Sequence, residues 1–160
     1  MTRPGAIYLD TNIFIMLYET SGETADLLRQ YLGRIRDFPA VRLVTSGLTL
    51  SELLVKPLRD GDREAADAYR NLFDDSPWLS VAPVDRHVLD YAAFLRASHA
   101  HLKLPDAIHV STAIGSRCEG LLTDDRRIKG NYAVAGSSGP LSILRPDHLT
   151  IASLMENLRR

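Results

Sequence analysis

A chain of 160 residues with 19 Lys+Arg against 20 Asp+Glu has a formal net charge of −1, which excludes a broadly basic surface and leaves room only for a local basic patch. Its 45% apolar and 24% charged content is that of an ordinary globular protein, long enough for one domain over residues 1–160. The single cysteine, Cys118, excludes an intrachain disulfide and paired-cysteine zinc patterns, and no run reaches the roughly 18 apolar residues of a membrane span, so the expectation is a soluble cytoplasmic protein with no membrane contact.

In chain order, the apolar run Ala6–Leu9 predicts a short buried strand, and Thr11–Glu19 predicts a helix directly after it. A second helix, Glu23–Arg36, follows the Ser21-Gly22 break. Val41–Thr45 predicts strand two. Leu48–Val55 is helical and expected to stop at Pro57, where a backbone donor is missing. Asp62–Phe73 has the periodicity of an amphipathic helix, closed by Asp74-Asp75-Ser76-Pro77. Leu79–Val84 predicts strand three, Val88–Ser98 a helix, Asp106–Arg117 a further helix ended by Gly120, and Gly120–Thr123 strand four. Gly136-Ser137-Ser138-Gly139-Pro140 predicts a loop, Leu141–Leu144 an edge strand, and Asp147–Leu158 a terminal helix. Short apolar strands alternating with helices predict an α/β domain whose parallel sheet is covered on both faces.

Four acidic positions stand where a carboxylate is out of place. Asp10 ends the first strand and is followed by Thr11-Asn12; Asp124-Asp125 ends the run Leu121-Leu122-Thr123. Glu52 lies within the apolar segment from Leu48 to Val55, on a stripe with those two residues, and Asp106 opens a helical pattern. An unpartnered carboxylate is costly to bury, so acids at apolar edges point to a shared cation, and hard oxygen ligands favour Mg²⁺ or Mn²⁺. Ligands in parallel sheets sit at the carboxyl ends of the strands, where Asp10 and Asp124-Asp125 fall. Each acid also has a plainer reading. Asp106 after Pro105 can be an N-cap, Asp124-Asp125 a solvated turn, and Glu52 an exposed edge with Leu50, Leu53 and Leu54 facing the core.

Together, Tyr8-Leu9-Asp10-Thr11-Asn12, Ser51-Glu52, Leu104-Pro105-Asp106-Ala107-Ile108-His109 and Leu122-Thr123-Asp124-Asp125 make the chain resemble the PIN-domain ribonucleases, specifically the VapC-type toxins of bacterial toxin–antitoxin pairs. The resemblance spans almost the whole chain. It implies a three-layer α/β/α domain with a mainly parallel central sheet of four to five strands, and metal-dependent endonuclease activity on RNA. It assigns Asp10, Glu52, Asp106 and Asp125 as ligands of one or two Mg²⁺ or Mn²⁺ ions, through a threonine, any residue, aspartate pattern that prefers Asp125 to Asp124. By the same analogy Asn12 orients the ligands and Thr123 supports the acids or the attacking water. A homodimer and a cognate antitoxin partner are implied as well.

Arg126, Arg127 and Lys129 are placed to meet phosphates flanking the scissile bond, while Arg34, Arg36 and Arg42 read as ordinary surface. His99 and His101 suggest a metal pair but lack a matching acid motif. His109, three residues after Asp106, either packs on the sheet or orients that acid. The apolar residues between Ile13 and Leu32 exceed what one sheet face needs, which suggests a groove for an antitoxin helix unless they all pack internally. A haloacid-dehalogenase-type phosphatase also has an Asp after strand one and a late acidic pair, but it needs a second Asp where this chain has Asn12, and it has no role for Glu52. A PIN-like binding module without catalysis is the other alternative.

Overall fold

All four residues of β1 (Ala6–Leu9) are buried, and their alternation divides the interior in two. Ile7 and Leu9 face one core with Leu43, Leu79 and Leu122; Ala6 and Tyr8 face the other with Val44 and Leu121. The computed structural model describes residues 5–37, 41–133 and 139–158. Its sheet has five strands, all parallel, in the order β3-β2-β1-β4-β5, with β2 Arg42–Ser46, β3 Leu79–Ala82, β4 Gly120–Leu122 and β5 Ser142–Leu144.

The first face is closed by α1 (Thr11–Glu19), α2 (Glu23–Asp37), α3 (Gly47–Asp60), α4 (Arg63–Asp75) and α7 (His148–Asn157). The second is closed by α5 (Arg86–Ser98) and α6 (Leu104–Gly115), with Ile128, Tyr132 and Leu141 from the connection to β5. The expected three-layer α/β/α domain with a parallel sheet is therefore the fold. Leu122 is fully buried, and truncating such a leucine to alanine costs about 2–5 kcal/mol.

Strand order positions the site. The chain steps outward from β1 through β2 to β3, then crosses back to lay β4 on the other side of β1. The direction of winding reverses between β1 and β4, and a crevice opens beyond their carboxyl ends. The N–H of Asp10 donates to the Leu122 carbonyl at 3.1 Å and ties the two ends together.

Several boundaries differ from the sequence expectation. α3 runs past Pro57, which is buried within it, and ends only at Gly61, whose φ of 70° closes the helix while the Asp62 N–H reaches the Pro57 carbonyl at 2.8 Å. The core face of α3 is Thr49, Leu53 and Pro57; Val55 is exposed, so Glu52 does not share an apolar stripe. α6 starts at Leu104, which puts Asp106 in its first turn instead of at the N-cap, and it stops at Gly115 before a reversal at Arg117. β3 ends at Ala82, short of Val84. The apolar residues of α1 and α2 mostly pack internally: Ile13, Phe14, Leu17, Leu28, Tyr31 and Leu32 are buried, while Ile15 and Tyr18 are exposed. The predicted loop over 136–140 lies largely outside the described residues. Cys118 is buried, and burial pushes its thiol up to about 12. Among the described residues no helix is long and apolar enough to cross a membrane.

Candidate functional site

Asp10 leaves β1 in extended conformation and caps α1, with its carboxylate at the positive end of the helix. It is 4% exposed, and donors surround it: the Thr11 N–H at 2.7 Å on Oδ1, the Thr123 hydroxyl at 2.6 Å and the Asn12 amide at 3.1 Å on Oδ2. Thr123 Oγ1 in turn accepts the Asp125 N–H at 3.0 Å, and Asn12 Oδ1 accepts the Asp124 N–H at 2.9 Å. Asn12 and Thr123 thereby join the loop after β4 to the carboxylate after β1.

Glu52 reaches the same place from α3. Its Oε1 accepts from Thr11 Oγ1 at 3.0 Å and lies 2.6 Å from His109 Nε2, which is also 3.3 Å from Asp10 Oδ1. His109 Nδ1 lies 2.8 Å from the hydroxyl of the fully buried Tyr8, which donates to Ser46 Oγ at 2.9 Å. Nε2 faces two carboxylates, which favours a proton there and a positive charge on the ring. Burial opposes that charge, but the hydrogen bond to Glu52 and the negative charges of Asp10, Glu52 and Asp106 outweigh it and lift His109 above its ordinary value. Glu52 moves the opposite way: burial works to raise it, and the His109 contact prevails and lowers it.

Asp106 and Asp125 form a second pair. Asp106 is 5% exposed; its Oδ2 accepts the Lys103 N–H at 2.9 Å at the start of α6. The Arg127 guanidinium spans both acids, with Nε 3.0 Å from Asp106 Oδ2 and Nη2 2.6 Å from Asp125 Oδ2. Arg145, just after β5, clamps the intervening loop by donating to the carbonyls of Thr123 at 3.1 Å, Asp125 at 2.7 Å and Ile128 at 2.6 Å.

The structure therefore brings Asp10, Glu52, Asp106, Asp125, Asn12 and Thr123 into one crevice. The Asp124 side chain is exposed, and that residue takes part through its backbone. Sequence reading undervalued His109, although its helical spacing from Asp106 was a signal, and it missed Arg145, which carries no local signal. His99 and His101 pack against each other, and His99 also packs against Tyr132. Arg42 begins β2 at the opposite end of the sheet and donates to the Ser116 carbonyl.

Among the described residues no three acidic, histidine or cysteine side chains are gathered closely enough to form a ready-made metal cage. The donors nonetheless fit a hard divalent cation. All four are carboxylates, two are buried, and the positive charge facing them comes from the side chains of His109 and Arg127.

A family model described as PIN domain matches residues 7–133. No curated protein matches the sequence. Among solved structures, the chain is similar to a toxin–antitoxin complex from Klebsiella pneumoniae, at 23% identity and TM-score 0.61 over 88% of this chain and 98% of that one. It is also similar to VapBC2 from Rickettsia felis bound to a DNA fragment from their promoter, at 16% identity and TM-score 0.63 over 88% and 98%. The VapC20 toxin of Mycobacterium tuberculosis, described as cleaving the sarcin–ricin loop, aligns at 17% identity and TM-score 0.59 over 72% and 86%.

Proposed function

This chain belongs to the PIN-domain family, and on that premise we propose that it is a metal-dependent endoribonuclease serving as the toxin of a toxin–antitoxin pair. One observation carries the reading: carboxylates from four separate segments converge at the switch point between β1 and β4. Asp10, Glu52, Asp106 and Asp125 would hold one or two Mg²⁺ or Mn²⁺ ions. Such an ion supplies a water of lowered pKa and offsets the charge that builds on a phosphodiester under attack. The chain's own residues orient that chemistry. Thr123 and Asn12 fix one oxygen of Asp10 and the Thr11 N–H the other, and His109 draws Glu52 toward it. Arg126 and Lys129 are exposed beside the acids, where they can take flanking phosphates of RNA.

Partners follow from the same reading. The neighbours are toxin–antitoxin complexes by description, and this chain has a groove of about 540 Å³ between α1, α3 and α4, lined by Tyr18, Pro57, Tyr69 and Leu72 with Glu19 and Lys56 at its rim. It suits an amphipathic segment of an antitoxin. Exposed Val55 and Leu58 on α3 and Leu89 and Phe94 on α5 are apolar surface for a homodimer. The setting is the cytoplasm.

The phosphatase alternative requires a second acid two residues after Asp10. Asn12 holds that position and spends its amide on Asp10 and its oxygen on the loop. The test is cleavage of structured RNA, a sarcin–ricin hairpin included, beside hydrolysis of a phosphate monoester, each with and without EDTA. EDTA-sensitive RNA cleavage with no monoester hydrolysis is expected; EDTA-insensitive cleavage or monoester turnover would overturn the reading. Light scattering of the purified chain and co-expression with the reading frame upstream test the dimer and the antitoxin.

A further inference from the structure

Arg127 stands where a substrate-binding arginine would gain nothing by standing. Its guanidinium lies across Asp106 and Asp125, 3.0 Å from one and 2.6 Å from the other, with Nη2 also 3.5 Å from Asp106 Oδ1. The backbone around it is held from both directions. The Arg127 N–H donates to Asp125 Oδ1 at 2.9 Å, Ile128 is fully buried, and Arg145 grips the carbonyls of Asp125 and Ile128 on either side. The side chain itself remains 45% exposed. The geometry is an anchored backbone carrying an arm free to rotate outward.

We propose that Arg127 is the site's own counter-cation: it occupies the Asp106–Asp125 pair in the metal-free protein and must leave it when a divalent ion binds. The inference rests on reading the four acids as a metal site. A guanidinium stays charged throughout the working pH range, so it cannot yield the acids by losing its proton. It can yield them only by moving, because a divalent ion on the same oxygens repels it and takes the lone pairs its N–H groups need. Released, its planar fork of donors turns to the mouth of the crevice, where it matches a phosphate of the incoming RNA. Metal uptake and exposure of an RNA-binding arginine are then a single event.

The experiment is calorimetric titration of Mn²⁺ into the wild type, Arg127→Ala and Arg127→Lys, with the ¹⁵Nε resonance of Arg127 followed in the wild type as Mg²⁺ is added. Arg127→Ala should bind Mn²⁺ on the order of tenfold more tightly, the size of an ordinary coupling between two ligands. Arg127→Lys, which keeps the charge and loses the fork, should fall between. The Nε–H signal should shift and lose its protection from exchange as Mg²⁺ saturates the site. Unchanged or weaker Mn²⁺ affinity in Arg127→Ala, or an unmoved Nε–H signal, would overturn the proposal while leaving the metal site intact. Absence of Mn²⁺ uptake by the wild type would overturn the metal reading, and this inference with it.

Discussion

The two acid pairs face one difficulty, the repulsion of carboxylates held close together, and they meet it differently. Asp10 and Glu52 are joined by His109, which is buried and braced from behind by Tyr8 and Ser46. Asp106 and Asp125 are joined by Arg127, which is anchored only at its backbone and open to solvent. The inner pair depends on a group whose charge changes with pH. The outer pair depends on one whose charge is permanent but whose position is not. A rigid, proton-sensitive half and a movable, proton-insensitive half thus share a single crevice.

Four predictions probe that contrast. The largest effect is expected from Asp10→Asn, the most enclosed of the acids. Cleavage of RNA should fall by more than about 100-fold, since loss of mere supporting groups around a metal already costs 10–100-fold. The far-ultraviolet circular dichroism should be unchanged, and near wild-type activity would remove Asp10 from the site.

On the outer pair, Asp125→Ala should lower activity by about 10–100-fold. Asp124→Ala, altering an exposed side chain, should stay within about twofold, as ordinary surface changes do. The reverse order in the same assay would transfer the role to Asp124.

Arg145→Ala removes three charge-assisted hydrogen bonds to the loop carrying Asp125 and Arg127. Urea unfolding should show a loss of about 2 kcal/mol. No loss would mean that the loop holds its shape without the clamp.

The smallest effect is one of pH on the metal-free protein. His109 has a raised value in the fold, so its contribution to stability is complete below the ordinary histidine value of 6.5 and is lost as pH rises through the raised one. Glu52 is lowered, so its contribution is complete above 4.5 and is lost as pH falls through the depressed value. Melting temperature should therefore be highest between these limits and fall toward alkaline pH, and His109→Asn should remove the alkaline fall. An identical profile in that variant would mean that His109 is neutral at every pH tested.

Much of this was legible from the sequence because burial leaves marks on composition and a carboxylate at the edge of an apolar run stands out. The strands β1 and β4 are short apolar runs since both faces are covered, and Asp10 and Asp125 are conspicuous because they follow such runs. What misled was local logic overridden by packing. A helix is expected to stop at Pro57, yet the proline faces the core and the closure falls four residues later at Gly61. Glu52 was found for a wrong reason, since the stripe it was assigned to is exposed at Val55. His109 meets Glu52 from 57 residues away and Arg145 meets its partners from 17 to 22 residues away, and no short window reveals such pairings.

The burial of Cys118 has a practical consequence. Only the thiolate attacks maleimides, and a sealed thiol titrating near 12 supplies almost none at neutral pH. A single new cysteine at exposed Asp74, at the end of α4 that leads into β3 and so away from the crevice, would be the one site open to a dye. Fluorescence from that position could follow association with a partner protein while leaving every acid in the crevice untouched.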